Sequence, residues 1–373
     1  MNIGIDARPL AKPLIGARRA LAAVLREWER ANLHGHKFFL YSPKPFEDKF
    51  SPPFQVRLGS PLGRLIGGSS WLQSELPFMA KRDKLDVFWG TMDAIPLALA
   101  KTLPCVCTVH DLGYYEIPEK FTPYMRLVYR LFFGPSLRAA KTIICTTGAV
   151  RRRLEDFGIH GKAQVVWHGV DIEKFARKPD RMNPVLAKYG LESGYFLCVG
   201  HLRPNKNLER TLDAFAQAIP AMSGAEKPMF VLAGGRTSTD AAIIERLNAP
   251  ALRENVKYLG GVPDDDLIAI YSSAKAFVSP SLYEGFGLPF LEAMAAGLPV
   301  IAPRIDTVIE VCGDAARYVD PMRAASIAEA LVELNANAGL RAELSRLSIL
   351  RANSFTWRAA ADKTLAVLEA ACR

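Results

Sequence analysis

Short apolar runs alternate with longer helix-patterned stretches along almost the whole chain, and few folds accommodate that pattern. In the first half the runs lie at 3–7, 37–41, 87–89, 105–109, 142–146 and 164–167. In the second half they lie at 195–199, 229–233, 256–259, 276–279 and 300–302. Segments 18–32, 151–157, 208–219 and 326–335 carry apolar residues at helical spacing. Continuous apolar runs of this length suit strands covered on both faces, with helices crossing between them, so the pattern predicts an α/β protein built on parallel sheets. The alternation pauses once, across a polar stretch at 171–194 containing Pro179 and Pro184, and restarts at Tyr195. That pause implies two Rossmann-like domains, and 373 residues suffice for both. Ligand is expected beyond the carboxyl ends of the strands, in the cleft between the two halves.

Bulk properties exclude several classes. No run reaches the roughly 18–20 uncharged residues of a membrane span, and because the first residues enter a strand pattern no signal peptide is expected. The cysteines at 105, 107, 145, 198, 312 and 372 form no Cys-x-x-Cys pair and sit mostly in apolar runs, as buried reduced thiols do. A cytoplasmic protein is expected. The net charge of +9 is uneven, because residues 1–175 hold 25 Lys and Arg against 16 Asp and Glu, and the remainder is neutral. The basic half suits an anionic partner, or simply a solvated surface. No nucleic-acid module is recognisable, so no nucleic-acid partner is expected.

The segment carrying most chemistry runs from Ala276 to Ala302 and reads as strand, loop, helix, strand. Gly285 and Gly287 permit close backbone approach to a ligand, and Pro289 suits a first helical turn. Unpaired N–H groups at such a helix start can hold a phosphate. Glu284 opens the loop and Glu292 lies about one turn into the helix, so both carboxylates can accept hydrogen bonds from sugar hydroxyls. Asp264-Asp265-Asp266 is the other acidic cluster and reads as a helix start rather than a metal site.

Glu284-x7-Glu292, with its Glu-Gly-Phe-Gly-Leu-Pro core, resembles the signature of the retaining glycosyltransferases of family 4. The resemblance extends along the chain, through Ile5-Asp6-Ala7-Arg8, His110-Asp111-Leu112, Val199-Gly200 to Lys206-Asn207, Tyr258 to Pro263 with Tyr271, and Phe355-Thr356-Trp357. It implies the GT-B fold, with residues 1–175 binding acceptor, 176–354 binding a nucleotide-sugar donor, and 355–373 forming a helix that crosses back to the first domain. It implies that Glu292 holds the ribose and that Glu284 contacts the donor sugar, with the Gly285, Phe286, Gly287 and Leu288 backbone around sugar and phosphate. Lys206 and Arg203 would neutralise the leaving diphosphate beside Gly200, and Gly261 and Val262 would read the base. His110 would contact the sugar near the reacting carbon, and Gly16 would lie near acceptor and diphosphate.

Departures from the family pattern fall in both halves. The glycine-rich loop after the first strand reads Leu14-Ile15-Gly16-Ala17-Arg18, with one glycine fewer. A serine-rich motif appears as Thr146-Thr147-Gly148-Ala149-Val150, and Asn205 replaces the arginine common beside the lysine.

The resemblance further implies transfer with retention, no metal and no cofactor beyond the nucleotide-sugar substrate. The style of the motifs is that of bacterial mannosyltransferases of surface polysaccharide synthesis. GDP-mannose is therefore the expected donor, with UDP-glucose or UDP-N-acetylglucosamine as the alternative. The acceptor would be a glycan or a lipid-diphosphate-linked sugar. The segment Phe121 to Phe133, with Arg126 and Arg130, could meet anionic membrane together with Arg151-Arg152-Arg153, and would then place the protein peripherally on the cytoplasmic face; a core helix with solvated arginines is the other reading. A non-hydrolysing sugar-nucleotide epimerase would share the fold, and would convert donor without acceptor.

Overall fold

The computed structural model describes all residues except 13–15, 67, 118–121, 178–183, 223–226 and 237–239, and the side chain of Met125. Leu14, Ile15, Phe121 and Pro179, used above, lie outside these described residues. The chain divides into two compact units: Met1–Gly169 with Trp357–Arg373, and Val170–Thr356.

The first unit holds a seven-stranded sheet ordered β3-β2-β1-β4-β5-β6-β7. Its strands are β1 (Asn2–Asp6), β2 (Lys37–Ser42), β3 (Phe54–Leu58), β4 (Val87–Gly90), β5 (Cys105–Val109), β6 (Thr142–Cys145) and β7 (Ala163–Val165). Every recorded pairing is parallel. The inner strands are buried on both faces, which is why they read as unbroken apolar runs. Helix Gly16–Ala31 buries Ala20, Leu21, Val24, Leu25 and Trp28, one stripe at helical spacing. That stripe packs against helix Trp357–Ala371, whose Ala360 and Ala361 are small enough for close approach. There the Trp28 indole Nε1 donates to the Ala361 carbonyl at 3.0 Å.

The second unit holds a six-stranded parallel sheet ordered β10-β9-β8-β11-β12-β13. Its strands are β8 (Tyr195–Val199), β9 (Phe230–Ala233), β10 (Val256–Tyr258), β11 (Ala274–Val278), β12 (Val300–Pro303) and β13 (Ala316–Val319). Phe215 packs between Phe196 and Phe230 in its core. Both sheets reverse strand order once, between β1 and β4 and between β8 and β11. Connections leave the sheet in opposite directions there and open a crevice at the carboxyl ends.

The sequence reading put the pause at 171–194 and bounded the first domain at 175. The helix Ile172–Phe175 instead belongs to the second unit, because the Phe175 ring packs edge-on against Tyr271 with centroids 5.6 Å apart. Two edge strands, β3 and β13, are additional to those the apolar runs suggested.

Candidate active site

In the second unit the crevice lies where β8 and β11 separate. After β8 the chain turns through Gly200 and a short 3-10 turn, Pro204–Lys206, before helix Leu208–Ala218. After β11 it forms the loop 279–287 and enters helix Leu288–Ala295. The Lys206 Nζ meets Glu284 Oε1 at 2.7 Å, joining groups 78 residues apart. Both side chains are largely buried, at 13% and 10% exposure. The Ser281 hydroxyl donates to the same Oε1 at 2.7 Å, and Ser279 Oγ lies 3.1 Å from Ser281 Oγ. Among the described residues both bonds to Glu284 fall on Oε1, and Oε2 accepts none, which leaves it available to an incoming hydroxyl.

The backbone fixes this arrangement. Leu282 N–H donates to the Asn205 carbonyl at 2.8 Å, and the Asn205 amide donates to the Tyr283 carbonyl at 3.3 Å, tying the two loops together. Asn207 adopts a left-handed conformation and donates to the carbonyls of Pro280 and Pro321. The Lys206 stem lies over Gly200, where an added Cβ would sit 3.2 Å from Lys206 Cε. At Gly234, after β9, an added Cβ would lie 1.9 Å from the Gly200 carbonyl oxygen. Only glycine permits the β8 and β9 loops to pass this closely.

Gly287 has φ +92° and caps helix Leu288–Ala295 with no side chain, while Pro289 occupies the first turn. Glu292 is buried within that helix, and the Tyr271 hydroxyl donates to its Oε2 at 3.0 Å. Arg203 is exposed, and His201 is half-buried with its pKa lowered by burial and by the nearby cations Arg203 and Lys206. Gly261 has open space on its Cβ side, and Val262 beside it is partly exposed. The acidic run is accounted for structurally. Asp264, Asp265 and Asp266 form the first turn of helix Asp264–Ser272, and Asp266 accepts from Lys188 Nζ and the Tyr189 hydroxyl.

In the first unit His110 follows β5. Its Nε2 lies 2.8 Å from the Thr91 carbonyl and can only donate there, so that bond fixes the ring and leaves Nδ1 as an acceptor when the imidazole is neutral. Gly16 is the first described residue of helix Gly16–Ala31. The spacing gave no warning of Asp93, which follows β4 with φ +53°. Its carboxylate accepts from the His110 backbone N–H at 3.0 Å and from the Tyr129 hydroxyl at 3.2 Å. Burial pushes the Asp93 carboxyl up to about 6, against the opposing pull of His110. A carboxyl raised in the folded state stabilises the fold only while protonated, and that contribution is lost as pH climbs from about 4 through about 6. Asp93→Asn keeps an acceptor oxygen without the charge. It is expected to melt higher than wild type at pH 7.5, by on the order of 1–2 kcal/mol, and to match it near pH 4. Melting curves at both pH values check this, and an equal difference at both would contradict it.

Among the described residues no three His, Cys, Asp or Glu side chains cluster as a metal ion would need. Among them, too, no helix is long and apolar enough to cross a membrane.

Residues 15–174 match the family described as Glycosyltransferase Family 4, and residues 187–348 match Glycosyl transferases group 1. The chain is 30% identical to the O-antigen chain mannosyltransferase B of Escherichia coli, over 98% of each protein. It is 28% identical to the O-antigen chain mannosyltransferase RfbU of Salmonella typhimurium, over 62% of this chain and 60% of that one. Among solved structures, the sucrose-phosphate synthase of Thermosynechococcus elongatus is similar with a TM-score of 0.79 at 19% identity, covering 99% of this chain and 98% of that one. WaaG, a glycosyltransferase involved in lipopolysaccharide biosynthesis, is similar with a TM-score of 0.72 at 18% identity, covering 99% of each. The two doubly wound parallel sheets are those of the GT-B fold. With the relatives, that fold defines a glycosyltransferase dependent on a nucleotide-sugar. The chain belongs to the family 4, group 1 glycosyltransferases.

Proposed function

We propose that the protein takes mannose from GDP-mannose and passes it, with retention of configuration and without a metal, to a glycan or lipid-diphosphate-linked acceptor in surface polysaccharide assembly. The observation that carries the donor site is the buried Lys206–Glu284 pair at the β8/β11 crevice, beside the glycine-capped start of the Glu292 helix. Lys206, with Arg203, neutralises the diphosphate; Glu284 Oε2 accepts a sugar hydroxyl; Glu292, oriented by Tyr271, holds the ribose. The backbone of Gly285, Phe286, Gly287 and Leu288 lines sugar and phosphate, Gly200 borders the diphosphate, and Gly261 and Val262 meet the base. In the first unit His110 contacts the donor sugar, and Gly16 lies toward the acceptor and diphosphate. The bond from the anomeric carbon to the diphosphate oxygen breaks as the acceptor oxygen bonds to that carbon on the same face. The acceptor proton passes to the departing phosphate oxygen, so no protein nucleophile is needed.

Mannose is favoured by the full-length likeness to an O-antigen chain mannosyltransferase. A second reading, a UDP-sugar donor, draws on the fold likeness to the Anabaena protein HepE, solved with UDP and glucose. A thermal-shift panel of GDP-mannose, UDP-glucose and UDP-N-acetylglucosamine separates the two. GDP-mannose at 100 times its Kd is expected to stabilise the fold by about 2.7 kcal/mol. Stabilisation by a UDP-sugar alone would favour the second reading, and none by any nucleotide-sugar would refute both.

Helix Pro123–Ala139 supports a peripheral membrane contact from the cytoplasmic side. Tyr124, Leu127 and Leu131 are exposed at 69%, 54% and 53% along one stripe, flanked by exposed Arg126 and Arg130. Arg151 and Arg152 add exposed positive charge on helix Gly148–Asp156, while exposed Arg153 is paired with Glu116 and Asp156. Apolar side chains ringed by cations suit an anionic lipid surface. Vesicles rich in phosphatidylglycerol are expected to float the protein at low salt, less so at high salt. Failure to float at either salt would refute the contact.

A further inference from the structure

Lys206 and Glu284 satisfy one another, in a place that water reaches poorly. A diphosphate that draws the Lys206 ammonium toward itself leaves Glu284 with the Ser281 hydroxyl alone. A buried carboxylate stripped of its cation is costly, so a ligand offering only phosphate meets that cost in full. A diphosphate still bearing its sugar also brings hydroxyls, which can donate to the open Oε2 and compensate the exchange. The free nucleoside diphosphate is worse placed for a second reason: without its sugar, the terminal phosphate gains negative charge beside a carboxylate.

We infer that the linked set Lys206–Glu284–Ser281 makes the site select the sugar-bearing diphosphate over the free nucleoside diphosphate, and so hastens release of the spent product. The inference rests on the donor-site reading given above. Ser281 is the specificity-determining addition. Its hydroxyl, buried and backed by Ser279, keeps Oε1 bonded and the carboxylate in place when Lys206 turns to phosphate.

Calorimetric titration of the full chain, as wild type, Glu284→Gln and Ser281→Ala, with GDP, UDP, GDP-mannose and UDP-glucose tests this. Wild type is expected to bind one nucleotide-sugar at least about tenfold more tightly than the matching diphosphate. Glu284→Gln should bind that diphosphate about fivefold to tenfold more tightly than wild type and the sugar form no more tightly, so that the preference collapses. Ser281→Ala should lose about fivefold in affinity for the sugar form and less for the diphosphate. Equal shifts for both ligands in Glu284→Gln would overturn the inference and leave the donor site standing. A folded wild type that binds neither kind of ligand would remove the donor site and the inference together. Should Glu284→Gln fail to fold, an unchanged preference in a Ser281→Ala protein melting like wild type overturns the inference as well.

Discussion

A Lys206→Ala enzyme is expected to transfer sugar about 10²–10³ times less efficiently in kcat/KM than wild type. The substitution removes the ammonium placed to meet negative charge as the diphosphate departs. It also leaves Glu284 largely buried with no cation, since the observed pair lies at 2.7 Å with 13% and 10% exposure. Breaking a buried pair from one side costs about 3 kcal/mol. Two separate measurements therefore follow, steady-state kinetics and urea titration. Kinetics within about fivefold of wild type would show that Lys206 does not perform the neutralisation assigned to it.

Gly234→Ala is the second large effect. The new methyl would fall 1.9 Å from the Gly200 carbonyl oxygen and 2.4 Å from its carbon, both backbone atoms with no rotamer to change. The β8 and β9 loops would have to separate, at a cost of about 3 kcal/mol or more. Gly200 N–H bonds the Ala233 carbonyl and Gly234 N–H bonds the Gly260 carbonyl, so the displacement would spread across three loops at the sheet's carboxyl edge. A lowered melting temperature together with lost stabilisation by nucleotide-sugar is the expected outcome. A variant that melts and responds to ligand like wild type would contradict the close packing of those loops.

The interior of both sheets was legible because a strand covered on both faces must be apolar throughout. The runs at 105–109 and 195–199 coincide with β5 and β8 residue for residue. Edge strands escape this logic. In β3 only Phe54 is buried while Val56 and Leu58 are exposed, and prolines at 52, 53 and 61 suggest a loop. The strand β13 includes Arg317 and Tyr318, half-covered at the sheet margin. Within the site, Glu284 and Glu292 stood out because loop, helix and carboxylates lie close together in sequence. The Lys206–Glu284 bond did not, since it joins positions that only sheet topology brings together. Ser281 and Tyr271 were visible as residue types, but the aim of their hydroxyls depends on tertiary packing. Asp93 is marked by its place in the topology and not by motif spacing. It follows β4 beside the strand-order reversal, where polar residues at carboxyl ends carry particular weight.

The helix Trp357–Ala371 has a bearing on how the chain is made. It covers the stripe on helix Gly16–Ala31 and receives the Trp28 indole, yet it follows the whole of the second unit. As synthesis proceeds from the amino terminus, Leu21, Leu25 and Trp28 emerge early and lack their cover until residue 371 has left the ribosome. The unit begun first is thus the unit completed last. In that interval this apolar helix face is the surface a chaperone would be expected to occupy.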